Sequence, residues 1–168
     1  FVLFFVRSPA PTDIHSISLV GSLMCVKGTA YDMGFQTVEY VASALVDLDL
    51  HDGPAPSDPF AAQAETLARI GMPAAIAMRH ATPHFAHVFA GDGYSSGYYS
   101  YMWSEVMDAD AFAAFEEAGG AFDTERAEAL EEHILSTGGS RDPAELYTAF
   151  RGRLPGVEAL LKGRGLAA

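Results

Sequence analysis

Apolar positions along this chain change their period near Gly34. Residues 1–33 carry apolar and β-branched residues with no sustained helical spacing, interrupted by Pro9, Pro11, Gly21 and Gly28. From Gly34 onward the spacing becomes helical. Phe35, Val38, Val41, Ala42, Leu45 and Leu48 recur at steps of three and four, which predicts an amphipathic helix over 35–50, ended by Gly53, Pro54 and Pro56. Ser57 or Asp58 ahead of Pro59 predicts the next N-terminus, and Gly71 its end. Thr82-Pro83 reads as another cap with a first-turn proline. Gly91-Asp92-Gly93 is a break, and an aromatic run from Tyr94 to Trp103 follows it.

The remaining punctuation is similar in kind. Asp108 and Asp110 predict a cap for a helix over 111–118, stopped by Gly119-Gly120. Asp123 predicts a helix to about Ser136, closed by Gly138-Gly139. Ser140 or Asp142 with Pro143 predicts 143–151, and Pro155-Gly156 separates it from a last helix over 157–163. The fold class expected is all-α, with 1–33 an atypical N-terminal segment and 34–168 a helical domain or part of one.

Composition narrows the function classes. Hydrophobic residues make up 49% of 168 residues, enough to bury a core, so global disorder is excluded. The formal charge of -12 repels phosphate backbones and anionic lipid, so neither nucleic acid nor membrane is an expected partner. The apolar stretches Phe1–Val6 and Ile17–Val26 are too short or too interrupted for a signal peptide or a membrane span. Cys25 is the single cysteine, which rules out an intrachain disulfide and suits a reducing compartment. The chain begins on Phe1 rather than Met, so the natural start is expected elsewhere.

Three groups of residues could carry chemistry. His80, His84 and His87 would share one face of a continuous helix and could grip a metal ion, but Pro83 breaks that helix between the first two. Cap or core histidines are the plainer reading. In the second group a glycine-rich loop, Gly91, Gly93 and Gly97, leads into Tyr94, Tyr98 and Tyr101 at i, i+4, i+7. On a helix these phenols share a face, and phenol and imidazole donors suit stabilisation of negative charge growing on a carbonyl oxygen. The plainer reading is an aromatic core stripe. The third group, Asp47-x-Asp49-x-His51-Asp52, lacks the glycine and the closing glutamate of a calcium loop and is rejected. Glu125, Glu128, Glu131 and Glu132 read as a solvated helix face. No G-x-S-x-G elbow and no H-E-x-x-H motif occurs.

Residues 34–166 resemble the C-terminal end of the thimet oligopeptidase and peptidyl-dipeptidase family of zinc metallopeptidases. The resemblance rests on GFQTVEYVASALVDLDLH (34–51), GMP (71–73), HFAHVFAGDGYSSGYYSYMWSEVMDADAFAAF (84–115), GGSRDP (138–143), FRGRLP (150–155) and the ending Arg164-Gly165-Leu166. It implies a mainly helical catalytic domain that hydrolyses short peptides with a zinc ion. It further implies that His87 and Tyr101 donate to the oxyanion, that Tyr94 and Tyr98 position substrate, and that Gly91, Gly93 and Gly97 let the loop close. The family's zinc motif and its glutamate ligand are expected upstream of this chain, so no zinc is expected on it and the chain alone is expected to be inactive.

Leu154 departs from a position where the family often carries an acidic residue. The partners implied are short peptides and the missing N-terminal half of the domain. The compartment implied is the cytoplasm, with the periplasm as the alternative. Two other readings stand beside this one: a non-catalytic helical module that binds peptides or a partner chain, and a metal site built from the three histidines.

Overall fold

A computed structural model describes residues 32–167. These are mainly helical, with no strand among the described residues, so the all-α expectation holds. The N-terminal segment and Cys25 lie outside the described residues.

The described chain forms two compact units, 32–103 and 104–167. In the first, α1 spans Met33–His51 and α2 spans Pro59–Arg69. A 3-10 turn, Thr82–His84, leads to the short α3, Ala86–Phe89, and a second 3-10 turn covers Asp92–Tyr94. The helix α4, Ser100–Glu117, is followed by α5, Thr124–Leu130, whose last turn widens into a π-turn over Glu131–Leu135. The helices α6, Pro143–Arg151, and α7, Glu158–Gly163, complete the chain.

The proline-marked starts form as their chemistry requires. Asp58 accepts from the amides of Phe60 and Ala61 at 2.9 and 3.0 Å, and Pro59 fills a position whose N–H would have no helical partner. Asp142 repeats this at Ala144 and Glu145, and Asp123 caps α5 through Arg126. The glycine at 152, with φ of 85°, ends α6 in the left-handed conformation that suits glycine.

Two expectations fail. Asp108 and Asp110 do not open a helix, because α4 runs unbroken from Ser100 to Glu117. Nothing between these positions interrupts the backbone ladder, and the Asp110 side chain, 2% exposed, is taken by other partners. It accepts from the Tyr147 hydroxyl at 2.9 Å, Arg151 Nε at 3.3 Å and Arg153 at 2.5 Å. Thr82 does not cap its turn either. Its amide and hydroxyl both donate to the Gln63 side-chain oxygen, at 2.8 and 2.9 Å, which tethers the turn to α2.

Each unit has a core of its own. Val46, Met78, Phe85 and Val88 are buried together in the first, with Leu50, Leu67 and Tyr98 against them. Ala114, Phe115, Leu130 and Phe150 are buried together in the second, joined by Ala127 and Ile134. The apolar stripe expected on α1 is only partly its buried face. Ala42, Ser43, Val46 and Asp47 are buried, while Phe35 and Val38 are exposed. A helix apolar on more than one side is the kind found inside larger domains.

Candidate functional site

The first unit gathers the histidines and tyrosines of the sequence around one buried carboxylate. Tyr40, Ser43, Asp47 and His51 follow one another on α1 at steps of three and four, so they line one face. Asp47 is fully buried. Its two oxygens accept from the Ser96 amide at 3.2 Å and the Tyr98 amide at 2.9 Å, and His51 Nδ1 stands 3.0 Å from Oδ1. Near the start of the same helix, the Tyr40 hydroxyl donates to the Tyr98 carbonyl and accepts from the Met102 amide at 3.1 Å.

These bonds hold a sharp turn. Ser96 has φ of 57°, the one non-glycine residue with a positive φ among the described residues. For a residue with a Cβ this left-handed conformation costs about 1 kcal/mol. Ser95 steadies the approach by donating to the carbonyls of Val88 and Gly91 at 3.2 and 3.3 Å. Of the three glycines in the loop, Gly97 is the one with a tight steric requirement: a Cβ there would lie 3.1 Å from the Tyr94 carbonyl oxygen. At Gly91 and Gly93 a Cβ would meet nothing within 4 Å.

The turn decides where the phenols stand. Tyr94, Tyr98 and Tyr101 do not lie on one helix as their spacing predicts: Tyr94 ends a 3-10 turn, Tyr98 lies between elements, and Tyr101 is in the first turn of α4. The left-handed Ser96 and the close approach at Gly97 break the helical path. The three rings converge nevertheless. His87 lies against Tyr94, with centroids 4.4 Å apart, and its Nε2 is 2.8 Å from the Tyr101 hydroxyl. Tyr94 and Tyr101 are stacked at 6.4 Å, both near half-exposed.

Tyr98 meets Tyr101 and His87 edge-on, with centroids 5.6 and 5.9 Å apart, and is tied at every polar atom. Its amide and carbonyl are bonded to α1, and its hydroxyl is 3.1 Å from His80 Nε2. The ring stacks on Tyr40 and meets Phe85 edge-on at 4.8 Å. His80 in turn stacks on Phe85.

Protonation follows from these surroundings. Desolvation, with Tyr94 adding to it, holds the Tyr101 hydroxyl above the ordinary phenol value, and burial does the same for Tyr98. Both phenols therefore keep their protons at neutral pH. Burial, reinforced by the Arg79 charge, lowers His80 below the ordinary imidazole value. The exposed pair His87 and Tyr101, with Tyr94 beside it, presents an imidazole and two phenols to solvent. That set can donate hydrogen bonds to a carbonyl oxygen and lay a ring against an extended backbone.

The three histidines do not form a metal site. His80 turns to Tyr98, His87 to Tyr101, and His84 is exposed on its 3-10 turn. Among the described residues no group of three His, Cys, Asp or Glu could hold a metal ion. The aspartates of the rejected calcium pattern separate as well. Asp47 faces the loop, while Asp49 accepts from Thr66 at 2.5 Å and pairs with Arg69; the Thr66 bond, aided by Arg69, lowers its carboxyl below the usual range. A cavity of about 330 Å³ between α1 and α2, lined in part by Asp49, Glu65 and Arg69, includes none of the tyrosines.

Tyr40 is the member of this arrangement that sequence reasoning passed over; His80 stood there only as a metal ligand or a cap or core histidine, and Asp47 only in the rejected calcium pattern. Asp47 carried one signal: an acidic residue at a helical step from Val46's apolar neighbours is costly to bury unless something binds it.

Comparison with known proteins bears directly on the chain. The sequence model of peptidase family M3 matches residues 23–166. Oligopeptidase A of Escherichia coli (strain K12) is 49% identical over 85 residues, which is 50% of this chain and 12% of that protein. Probable cytosolic oligopeptidase A of Arabidopsis thaliana is 37% identical over 148 residues, covering 80% of this chain and 20% of the relative. Dipeptidyl carboxypeptidase of Salmonella typhimurium (strain LT2) is 32% identical over 145 residues, 83% of this chain and 21% of the relative. The chain thus spans between 12% and 21% of the length of these relatives.

Proposed function

The chain belongs to peptidase family M3, and on that premise we propose that it is the C-terminal, substrate-binding portion of a zinc-dependent oligopeptidase acting on short peptides. One observation carries this reading: His87 Nε2 and the Tyr101 hydroxyl stand 2.8 Å apart on an exposed face with Tyr94 alongside. His87 and Tyr101 donate to a peptide carbonyl, where charge grows as the bond is attacked. Tyr94 lays its ring along the substrate. Tyr98 positions substrate through the loop that it fixes, and Gly91, Gly93 and Gly97 give that loop its path.

The family is zinc-dependent, but the residues of this chain do not fit a zinc site. The sequence holds no H-E-x-x-H, and the described residues offer no three-ligand group. The role that remains for these residues is to hold and orient the peptide. Donors alone, without a polarised water, leave most of the barrier to peptide hydrolysis in place, so the isolated chain binds without cutting. The proposed partners are short peptides and the segment of the domain that carries the metal, in the cytoplasm.

The test is a titration of the purified chain, with one equivalent of zinc, against fluorescein-labelled penta-alanine. Binding without cleavage is expected. Release of dipeptides that is lost in Tyr101→Phe would overturn the inactivity, and a peptide that does not bind at all would overturn the reading itself. A second reading, a non-catalytic binding module, draws on the separate core of each unit, which favours folding without further chain. A chain that aggregates or is molten when expressed by itself would end that alternative.

A further inference from the structure

The geometry points to Asp47 as a positioning residue: its buried carboxylate docks the tyrosine loop on α1 and thereby sets where Tyr94 and Tyr101 stand. The bonds are mutual. Each oxygen of a fully buried carboxylate is taken by a loop amide, Ser96 at 3.2 Å and Tyr98 at 2.9 Å. A loop that lifted away would break both of these charge-assisted bonds at once.

The grip also falls where the backbone needs it most. Ser96 is held in the left-handed region at φ of 57°, and the bonds on either side of Gly97 fix the turn. His51, with Nδ1 3.0 Å from Oδ1 and 2.8 Å from the Asp47 carbonyl, steadies the carboxylate from within α1. Asp47 makes its hydrogen bonds to the loop at the backbone amides. It acts through the backbone, three residues before Tyr101 at its nearer bond and two after Tyr94 at the other.

Hydrogen exchange on the whole chain decides this. In Asp47→Asn, which keeps one acceptor oxygen, the amides of Ser96 and Tyr98 should exchange about tenfold faster, and faster still in Asp47→Ala, while Ala42 and Val46 change less than about twofold. Unchanged exchange at the two loop amides, or equal acceleration throughout the unit, overturns the assignment. If neither variant folds, the wild-type chain answers. Ser96 and Tyr98 should exchange more slowly than Gly91 and Gly93, and equal rates would sink the idea.

The functional meaning of the docking rests on the loop's being the peptide-holding element. Titration with fluorescein-labelled penta-alanine separates the two claims. A wild-type chain that does not bind the peptide overturns the functional reading, while the exchange pattern still judges Asp47. Affinity that is undiminished in an Asp47→Asn chain with an opened loop overturns the positioning role.

Discussion

The ring nitrogen of His87 and the hydroxyl of Tyr101 meet at 2.8 Å although fourteen positions separate them in the chain. The exposure of Tyr101 makes this pair easy to probe without disturbing the core. Tyr101→Phe should leave the far-ultraviolet circular dichroism unchanged and weaken penta-alanine binding about fivefold, the value of one hydrogen bond near 1 kcal/mol. Equal affinity of the two proteins would remove the hydroxyl from the site.

His80 supplies a pH dependence with a definite sign. Burial and Arg79 lower its value in the folded chain below the 6.5 of a free imidazole. The unfolded chain therefore takes up this proton first as pH falls. The stability contributed by neutral His80 is complete above about pH 6.5 and is lost as pH falls through the lower folded value. A nuclear magnetic resonance titration of the His80 ring should give a midpoint under 6.5, with the Tyr98 signals following it. A midpoint at or above 6.5 contradicts the geometry.

Asp110 is a costly polar residue to lose. It is 2% exposed and binds Tyr147, Arg151 and Arg153, while Arg151 also makes a two-pronged pair with Glu117 at 2.7 and 2.8 Å. Asp110→Ala leaves the Arg151 Nε without its carboxylate and the Tyr147 hydroxyl with the Met107 carbonyl alone. Urea denaturation should show a loss of about 3 kcal/mol. A loss under about 1 kcal/mol would mean that the arginines find other partners.

Ser96→Gly removes a Cβ from a left-handed residue. The gain from relieved strain, about 1 kcal/mol, is offset in part by the greater freedom of glycine in the unfolded chain. The substitution should raise the thermal midpoint slightly, or leave it unchanged. A clear drop would show that the serine side chain contributes something that its backbone does not reveal.

The helices and their caps were legible because they depend on local chemistry. Asp58-Pro59, Asp142-Pro143 and Asp123 each satisfy amides two or three residues away, and those partners are fixed by sequence spacing alone. Asp110 has the same look in the sequence and is not a cap, because its partners come from 37 to 43 residues further along. The site was legible in its membership more than in its construction. His87, Tyr94, Tyr98 and Tyr101 do come together, but through a kinked loop rather than a helix face. What bends that loop is Asp47, 49 and 51 residues before the amides it binds. No periodicity reports a contact of that span.

The π-turn after α5 makes chain length itself a variable. The Ser136 amide reaches back five residues to the Glu131 carbonyl at 2.9 Å, so the turn accommodates one residue more than an α-helical turn would. Leu130, just before it, and Ile134, within it, reach the same core. A deletion of the exposed Glu132 would let the segment relax into an ordinary α-helix with both of those residues still facing inward. Elsewhere in a helix a missing residue would swing everything after it by about 100°. In this turn the surplus is already built in, and a shortened gene would encode nearly the same surface.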